Sequence, residues 1–362
     1  MKENRPPIVT EITDKMLKER KLAVECANMM KRDGIMTEDK RIAVLGAGTM
    51  GAGMAATYAA YEFSVSLYSR TEETLQRARQ VIRNAVQLFT EEGLISSREA
   101  ETALSNISYT TSLEQAVSGA WYVAETISEQ KDAKKTLYEA LDEMLPENVI
   151  IASNTSYMDI FSFMPDRRQP YSVISHWVAP PHIIPLVEIV KGPRTEESVV
   201  SRTMDLHLRC QKTPVRIEKY VPGFILNRLQ SAMTREVLHL LDGGYCSPET
   251  IDLVAKSSLM PRGMLLGVVQ RMDFTGLDTV VNGLKNASYT PASAPGADST
   301  IFRLVEDGDY GAKSGKGFYD YSDSDPLETM DQRDRQLLRS IRLARAFLEE
   351  PLGVPREDLG GE

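Results

Sequence analysis

The chain has 362 residues, and its 51 acidic residues against 42 basic ones give a formal charge of −9. That length exceeds the usual reach of one hydrophobic core, so two domains with appendages are expected. The acidic balance and the absence of a long Lys/Arg run argue against nucleic-acid or anionic-membrane partners, and no apolar run approaches the roughly 18 to 20 residues of a membrane span.

Residues 1–40 read as an N-terminal helical extension, with an amphipathic pattern over "ITDKMLKERKLAVECANMMKR" capped by Thr13 or Asp14. Its acidic residues argue against a mitochondrial presequence, and no apolar core with a small-residue cleavage site is seen. Cys26, Cys210 and Cys246 are widely spaced and lack metal-ligand spacing, which predicts a reducing, cytoplasmic setting and no metal site. Over 41–216 the apolar runs "RIAVLGA", "SVSLYS", "WYVAE", "NVIIAS", "YSVISHWV" and "PLVEIV" alternate with helical patterns. That alternation predicts an α/β domain with a Rossmann-type, doubly wound, mostly parallel sheet. From 217 to 330 the chain reads as an all-α C-terminal domain. Its first helix ends at Gly243 and Gly244, and "SPETIDLVAKSSL" opens on a serine cap and a first-turn proline. "NASYTPASAPGADS" reads as a loop, and 331–362 as a C-terminal helix and frayed tail.

Within the first domain, Gly46, Gly48 and Gly51 directly follow the strand Ile42–Leu45 and open a small-residue helix. In that context the first glycine permits a tight turn, the second lets backbone approach a pyrophosphate, and the third lets helix and strand pack closely. Thr49 and Met50, at the same helix start, are assigned to the cofactor with them, because the first-turn N–H groups face the phosphates. The fingerprint usually carries a carboxylate about 20 residues on, at the end of the second strand. Here that position is Ser69, followed by Arg70. A hydroxyl and a guanidinium suit a 2′-phosphate, so NADP is expected over NAD.

The histidines are His176, His182, His207 and His239. His207 and His239 lie in helical contexts, where packed or surface roles are usual, and His182 lies in the "PPHII" turn. His176 ends an apolar run, and Glu188 lies inside the apolar run that follows. If these runs pair as antiparallel neighbours, the carboxylate orients the imidazole and supports its cationic form, as an acid-base catalyst requires. The hydroxyl-rich cluster Ser153, Asn154, Thr155 and Ser156 ends another strand, where open sheets bind their ligands.

Taken in order, "VLGAGTMGAGMA", "AETISEQKDAKK", "IIASNTSYM", "ISHWVAPPHIIPLVEIVKG", "PGFILNRLQ", "DFTGLD" and "GAKSGKGFYDY" resemble the 3-hydroxyacyl-CoA dehydrogenase family over roughly residues 41 to 321. The resemblance implies hydride exchange between (S)-3-hydroxyacyl-CoA and 3-ketoacyl-CoA. It implies His176 as catalytic base, Glu188 as its acidic partner, and Ser156 and Asn227 as substrate-bonding residues. Glu129, Lys134 and Lys313 match cofactor-contact positions, and a homodimer through the helical domain is implied.

Two departures stand out. Ala179 replaces an asparagine three residues after the catalytic histidine, and Ala85 and Glu92 fall near the family's serine and lysine contacts to coenzyme A. "PPHIIPLVE" is similar to the branch containing lambda-crystallin (gulonate dehydrogenase) and carnitine dehydrogenase. A free 3-hydroxy acid is therefore the alternative substrate. A non-catalytic dinucleotide-binding protein is the further alternative, against which the intact set of Ser156, His176, Glu188 and Asn227 weighs.

Overall fold

The computed structural model describes residues 40–348. The expected N-terminal helix and the tail after Leu348 lie outside the described residues. Within them the chain divides into two compact units between Phe224 and Ile225.

The first unit is built on an eight-stranded sheet of order β3-β2-β1-β4-β5-β6-β7-β8. The strands are β1 (Arg41–Leu45), β2 (Ser64–Tyr68), β3 (Ile107–Thr110), β4 (Tyr122–Glu125), β5 (Ile150–Ser153), β6 (Ser172–Trp177), β7 (Leu186–Val190) and β8 (Thr213–Ile217). Strands β1 to β6 are parallel, β7 runs antiparallel to β6, and β8 runs parallel to β7. The central strands are continuous apolar runs because helices cover both their faces. Ile42 and Val44 face one core with Tyr58 and Trp177, while the alternate residues Ala43 and Leu45 face a second core with Val123 and Ile174.

The crossovers are α1 (Thr49–Ala60), α2 (Glu72–Glu91), α3 (Ser97–Ser105), α4 (Leu113–Val117), α5 (Lys131–Met144) and α6 (Glu197–Arg209). Helix α1 is buried around most of its circumference, which its Ala, Gly and Met residues allow. Helix α2 is amphipathic and begins where Thr71 Oγ1 accepts a bond from Thr74 N, 3.3 Å away. In α3 a capping box joins Ser96 and Glu99.

The sheet unit runs past the expected boundary at residue 216. Phe224 is fully buried in it, and Tyr220 donates a bond to the Tyr157 carbonyl, 2.7 Å away. Strands β3 and β8 are additions to the expected set. In β3 only Ile107 is fully buried, and β8 is an edge strand carrying Pro214 and exposed Arg216, so neither shows an apolar run.

The second unit is helical among its described residues: α7 (Leu226–Asp242), α8 (Pro248–Val254), α9 (Met260–Thr275), α10 (Leu277–Lys285), α11 (Thr300–Glu306) and α12 (Pro326–Leu348). As its sequence predicts, Ser247 caps α8 through Thr250 N, with proline in the first turn. No helix among the described residues is long and apolar enough to cross a membrane, and none of their His, Cys, Asp and Glu side chains cluster in a way that could hold a metal ion.

Candidate active site

Strand β1 brings the chain to the carboxyl edge of the sheet, and the glycine loop turns it into α1. Gly46 has φ +109°, and a Cβ there would lie 2.5 Å from the Thr126 carbonyl oxygen. A Cβ on Gly51 would lie 1.8 Å from the Gly46 carbonyl oxygen. Neither position admits a side chain, so the turn stays tight and the helix stays close to the strand. Gly48 differs: nothing lies within 4 Å of its Cβ position, and it begins α1 without a side-chain cap. The first-turn N–H groups, those of Thr49 and Met50 included, have no acceptor within the helix and suit an anion.

Gly46, Gly48, Ser69, Arg70, Thr71 and Thr126 line one cleft of about 730 Å³. Ser69 is nearly buried directly after β2, whereas Arg70 is exposed beside it. An open glycine backbone, a bare helix start and an adjoining cleft fit a dinucleotide.

Behind this cleft lies a buried polar network. Glu125, the last residue of β4, is fully buried and faces Ser153, the last residue of β5, across the parallel ladder. Its Oε1 accepts bonds from Lys134 Nζ at 2.6 Å and Ile127 N at 2.9 Å. Its Oε2 accepts from Ser153 Oγ at 2.6 Å and Tyr138 OH at 2.7 Å. Burial, followed by the Glu125 charge, raises the Tyr138 hydroxyl well above its ordinary range, so it remains a donor. The Lys134 ammonium also lies 3.4 Å from Glu129 Oε2. Glu129 Oε1 in turn accepts from Ser156 N at 3.0 Å and from the Thr155 hydroxyl. Glu129 and Lys134 are thus joined beneath the turn that carries Ser156, and the Lys134 side chain is wholly enclosed.

Glu125 escaped the sequence reading, although its signal was present. It closes an apolar strand with a charged residue, much as Glu188 interrupts one.

The β6–β7 register sets His176 opposite Glu188. His176 Nδ1 lies 2.8 Å from Glu188 Oε2, and both side chains are almost wholly enclosed. A carboxylate has no proton to give, so Nδ1 carries the hydrogen and Nε2 of the neutral ring holds the lone pair. The Phe224 ring packs against the imidazole, with centroids 5.3 Å apart. Asn154 links this pair to the neighbouring turn: its Oδ1 accepts from Trp177 N at 2.8 Å, while its own N–H donates to the Glu125 carbonyl at 2.7 Å. His176 and Ser156 therefore belong to adjacent strand ends tied by one asparagine.

Asn227 lies in the first turn of α7 and exposed Lys313 lies in a short 3₁₀ turn, 5.3 Å from the Tyr310 ring, both in the helical unit. His182 packs near Phe89 and α1, and His239 is exposed on α7. His207 is fully enclosed in the core; its Nδ1 donates to the Thr203 carbonyl at 2.6 Å and its Nε2 accepts from Ser175 Oγ at 3.1 Å.

Comparison with known proteins adds an independent line. The family model of the 3-hydroxyacyl-CoA dehydrogenase NAD binding domain matches residues 41–220, and that of the 3-hydroxyacyl-CoA dehydrogenase C-terminal domain matches residues 223–321. A 5-formyl-3-hydroxy-2-methylpyridine 4-carboxylate 5-dehydrogenase of Mesorhizobium japonicum is 29% identical over 84% of this chain and 98% of its own. A probable 3-hydroxybutyryl-CoA dehydrogenase of Bacillus subtilis is 32% identical over 79% of this chain and 99% of its own. A solved structure of a 5-formyl-3-hydroxy-2-methylpyridine 4-carboxylic acid 5-dehydrogenase, described as an NAD+-dependent dismutase, superposes with a TM-score of 0.76 at 28% identity, covering 85% of this chain and 99% of that one.

Proposed function

Because the chain belongs to the 3-hydroxyacyl-CoA dehydrogenase family of NAD-dependent oxidoreductases, we propose that it interconverts a 3-hydroxy acid and the matching 3-oxo acid, with His176 as acid-base catalyst. The observation that carries this reading is the enclosed His176–Glu188 pair, whose bond at Nδ1 leaves Nε2 to act on substrate. When bound, the nicotinamide dinucleotide supplies the hydride acceptor or donor. In oxidation His176 Nε2 takes the proton of the substrate hydroxyl, and in reduction it returns that proton. Glu188 holds the ring in the required tautomer and balances the charge the ring gains. Ser156 and Asn227 bond the reacting oxygen or the neighbouring carbonyl. Gly46, Gly48, Thr49, Met50 and Gly51 would hold the pyrophosphate, and Glu129 and Lys313 would serve the cofactor as well, with Lys134, its ammonium enclosed between Glu125 and Glu129, supporting them from behind.

A free acid is favoured over a CoA thioester by two side chains. Ala85 is buried within α2 and offers no hydroxyl, and Glu92, at the end of that helix, stands where a lysine would be needed. The pyridine carboxylate named for the Mesorhizobium relative agrees with a small free acid. The thioester is the second reading, supported by the family models and by the Bacillus relative. Ser69 and Arg70, with no carboxylate at the end of β2, favour NADP over NAD. The exposed apolar residues of the helical unit, among them Leu253, Val269, Phe274 and Leu284, favour a homodimer through that unit.

A substrate panel followed at 340 nm tests these assignments. It pairs acetoacetyl-CoA, a free 3-oxo acid and a free 3-hydroxy acid with the oxidised or reduced form of each dinucleotide. Turnover of free acids alone supports the first reading, and turnover of the thioester alone supports the second. Binding without turnover of any compound overturns both. A strong preference for NADH overturns the NADP assignment. His176→Gln is expected to retain dinucleotide binding and to lose at least about 100-fold in kcat, the scale of general acid-base catalysis. A loss below about tenfold refutes the role of His176.

A further inference from the structure

We infer that Glu125 is a positioning residue that sets the geometry between Ser156 and His176 and fixes the cofactor side of the cleft. The inference rests on the proposed roles of those two residues. Three features single Glu125 out. First, its carboxylate is fully buried and both oxygens are saturated, by Lys134, Ile127 N, Ser153 and Tyr138. A buried carboxylate satisfied by donors from several elements is held far more rigidly than one on the surface. Second, those donors lead to the residues that act. Ile127 belongs to the 126–128 segment lining the dinucleotide cleft. Lys134 reaches Glu129, which grips the Thr155 hydroxyl and Ser156 N. Third, the Glu125 carbonyl accepts from Asn154 N, and the Asn154 side chain holds Trp177 N, one residue beyond His176. One residue thus anchors both routes, to the serine turn and to the histidine strand.

Glu125→Gln keeps the size of the side chain but presents an amide to Lys134 or to one of the hydroxyls. The ammonium is then neutralised by Glu129 alone, and its grip on the serine turn changes. A displacement of roughly 1 Å at a catalytic group costs up to about 100-fold in rate. The expected result is therefore a kcat about 10- to 100-fold lower on the panel compound that the parent turns over, and a Kd for NADH about three- to tenfold weaker. A larger primary isotope effect with deuterated NADH should accompany these changes as hydride transfer becomes rate-limiting. A merely structural Glu125 would lower Tm and leave the isotope effect and the per-molecule kcat unchanged.

Folded Glu125→Gln within twofold of the parent in kcat and in NADH Kd overturns the inference. If that variant does not fold, Ser153→Ala decides, since it removes only one of the donors. Parent-like turnover and NADH binding in Ser153→Ala overturn the inference, and a three- to tenfold loss supports it. His176→Gln, run alongside, separates the two levels: undiminished turnover there sinks the reading of the site. An inactive His176→Gln beside a fully active Glu125→Gln sinks this inference alone. If the parent turns over no panel compound, the Kd of Glu125→Gln for whichever of NADH and NADPH the parent binds more tightly decides, and an unchanged value overturns the inference.

Discussion

At the scale of single residues, the glycine loop separates two requirements that its sequence motif merges. Gly51 is closed by protein, with the Gly46 carbonyl 1.8 Å from its Cβ position, whereas Gly48 has no protein neighbour there. Gly51→Ala should therefore disrupt the turn itself, lowering Tm and abolishing NADH binding together. Gly48→Ala should keep Tm within a few degrees of the parent yet weaken NADH binding at least about tenfold, because the added methyl occupies space the pyrophosphate needs. Calorimetry and NADH titration on both variants check the split. His207 bears on stability instead. Burial holds it down to about 4, against an ordinary value of 6.5. Its neutral form is what the core accommodates, so the unfolded chain takes the proton first. Stability is then fully present above about 6.5 and falls as pH drops toward 4, by about 3 kcal/mol in total. Tm measured across that range should fall less steeply in His207→Phe, and an identical slope would exclude the assignment.

At the scale of elements, the legible strands were those enclosed on both faces. β1, β2, β4, β5, β6 and β7 show as apolar runs because helices cover them, whereas β3 and β8 sit at the sheet edges with polar residues or proline and show no such pattern. The His176–Glu188 pairing was legible as a conditional: two apolar runs joined by a short turn, each carrying one ionisable residue. The network around Glu125 was not, since Lys134, Tyr138 and Ser153 converge only when a crossover helix folds back over two strand ends. Asn154 shows what such convergence adds. Asn154→Ala removes the acceptor of Trp177 N and with it the tie between the end of β6 and the turn after β5, leaving the backbone ladder of the two strands in place. It should cost about 1 to 3 kcal/mol of stability by leaving that N–H unpaired, and should lower kcat about tenfold through loss of alignment. Denaturant unfolding and steady-state kinetics check the two halves separately.

At the scale of the whole molecule, the two units differ in how completely they bury their own apolar residues. In the sheet unit the large apolar side chains fill two enclosed cores, while the helical unit leaves Leu253, Val269, Phe274 and Leu284 more than half exposed. Light scattering on the full-length chain should therefore report a dimer, and Val269→Glu should shift it toward monomer. A monomeric parent at micromolar concentration would refute the dimer. The antiparallel β6–β7 ladder has a further consequence at this scale. The pairing of imidazole and carboxylate is stored in strand register, while the connection from residue 178 to 185 is held separately, by Lys212 Nζ donating to the Pro181 and Ile184 carbonyls. A change within that connection is therefore expected to leave His176 opposite Glu188, because the register of two strands and not the turn between them sets the pair. Two facing ionisable groups are thereby kept aligned by backbone ladders, which tolerate side-chain change far better than a loop does.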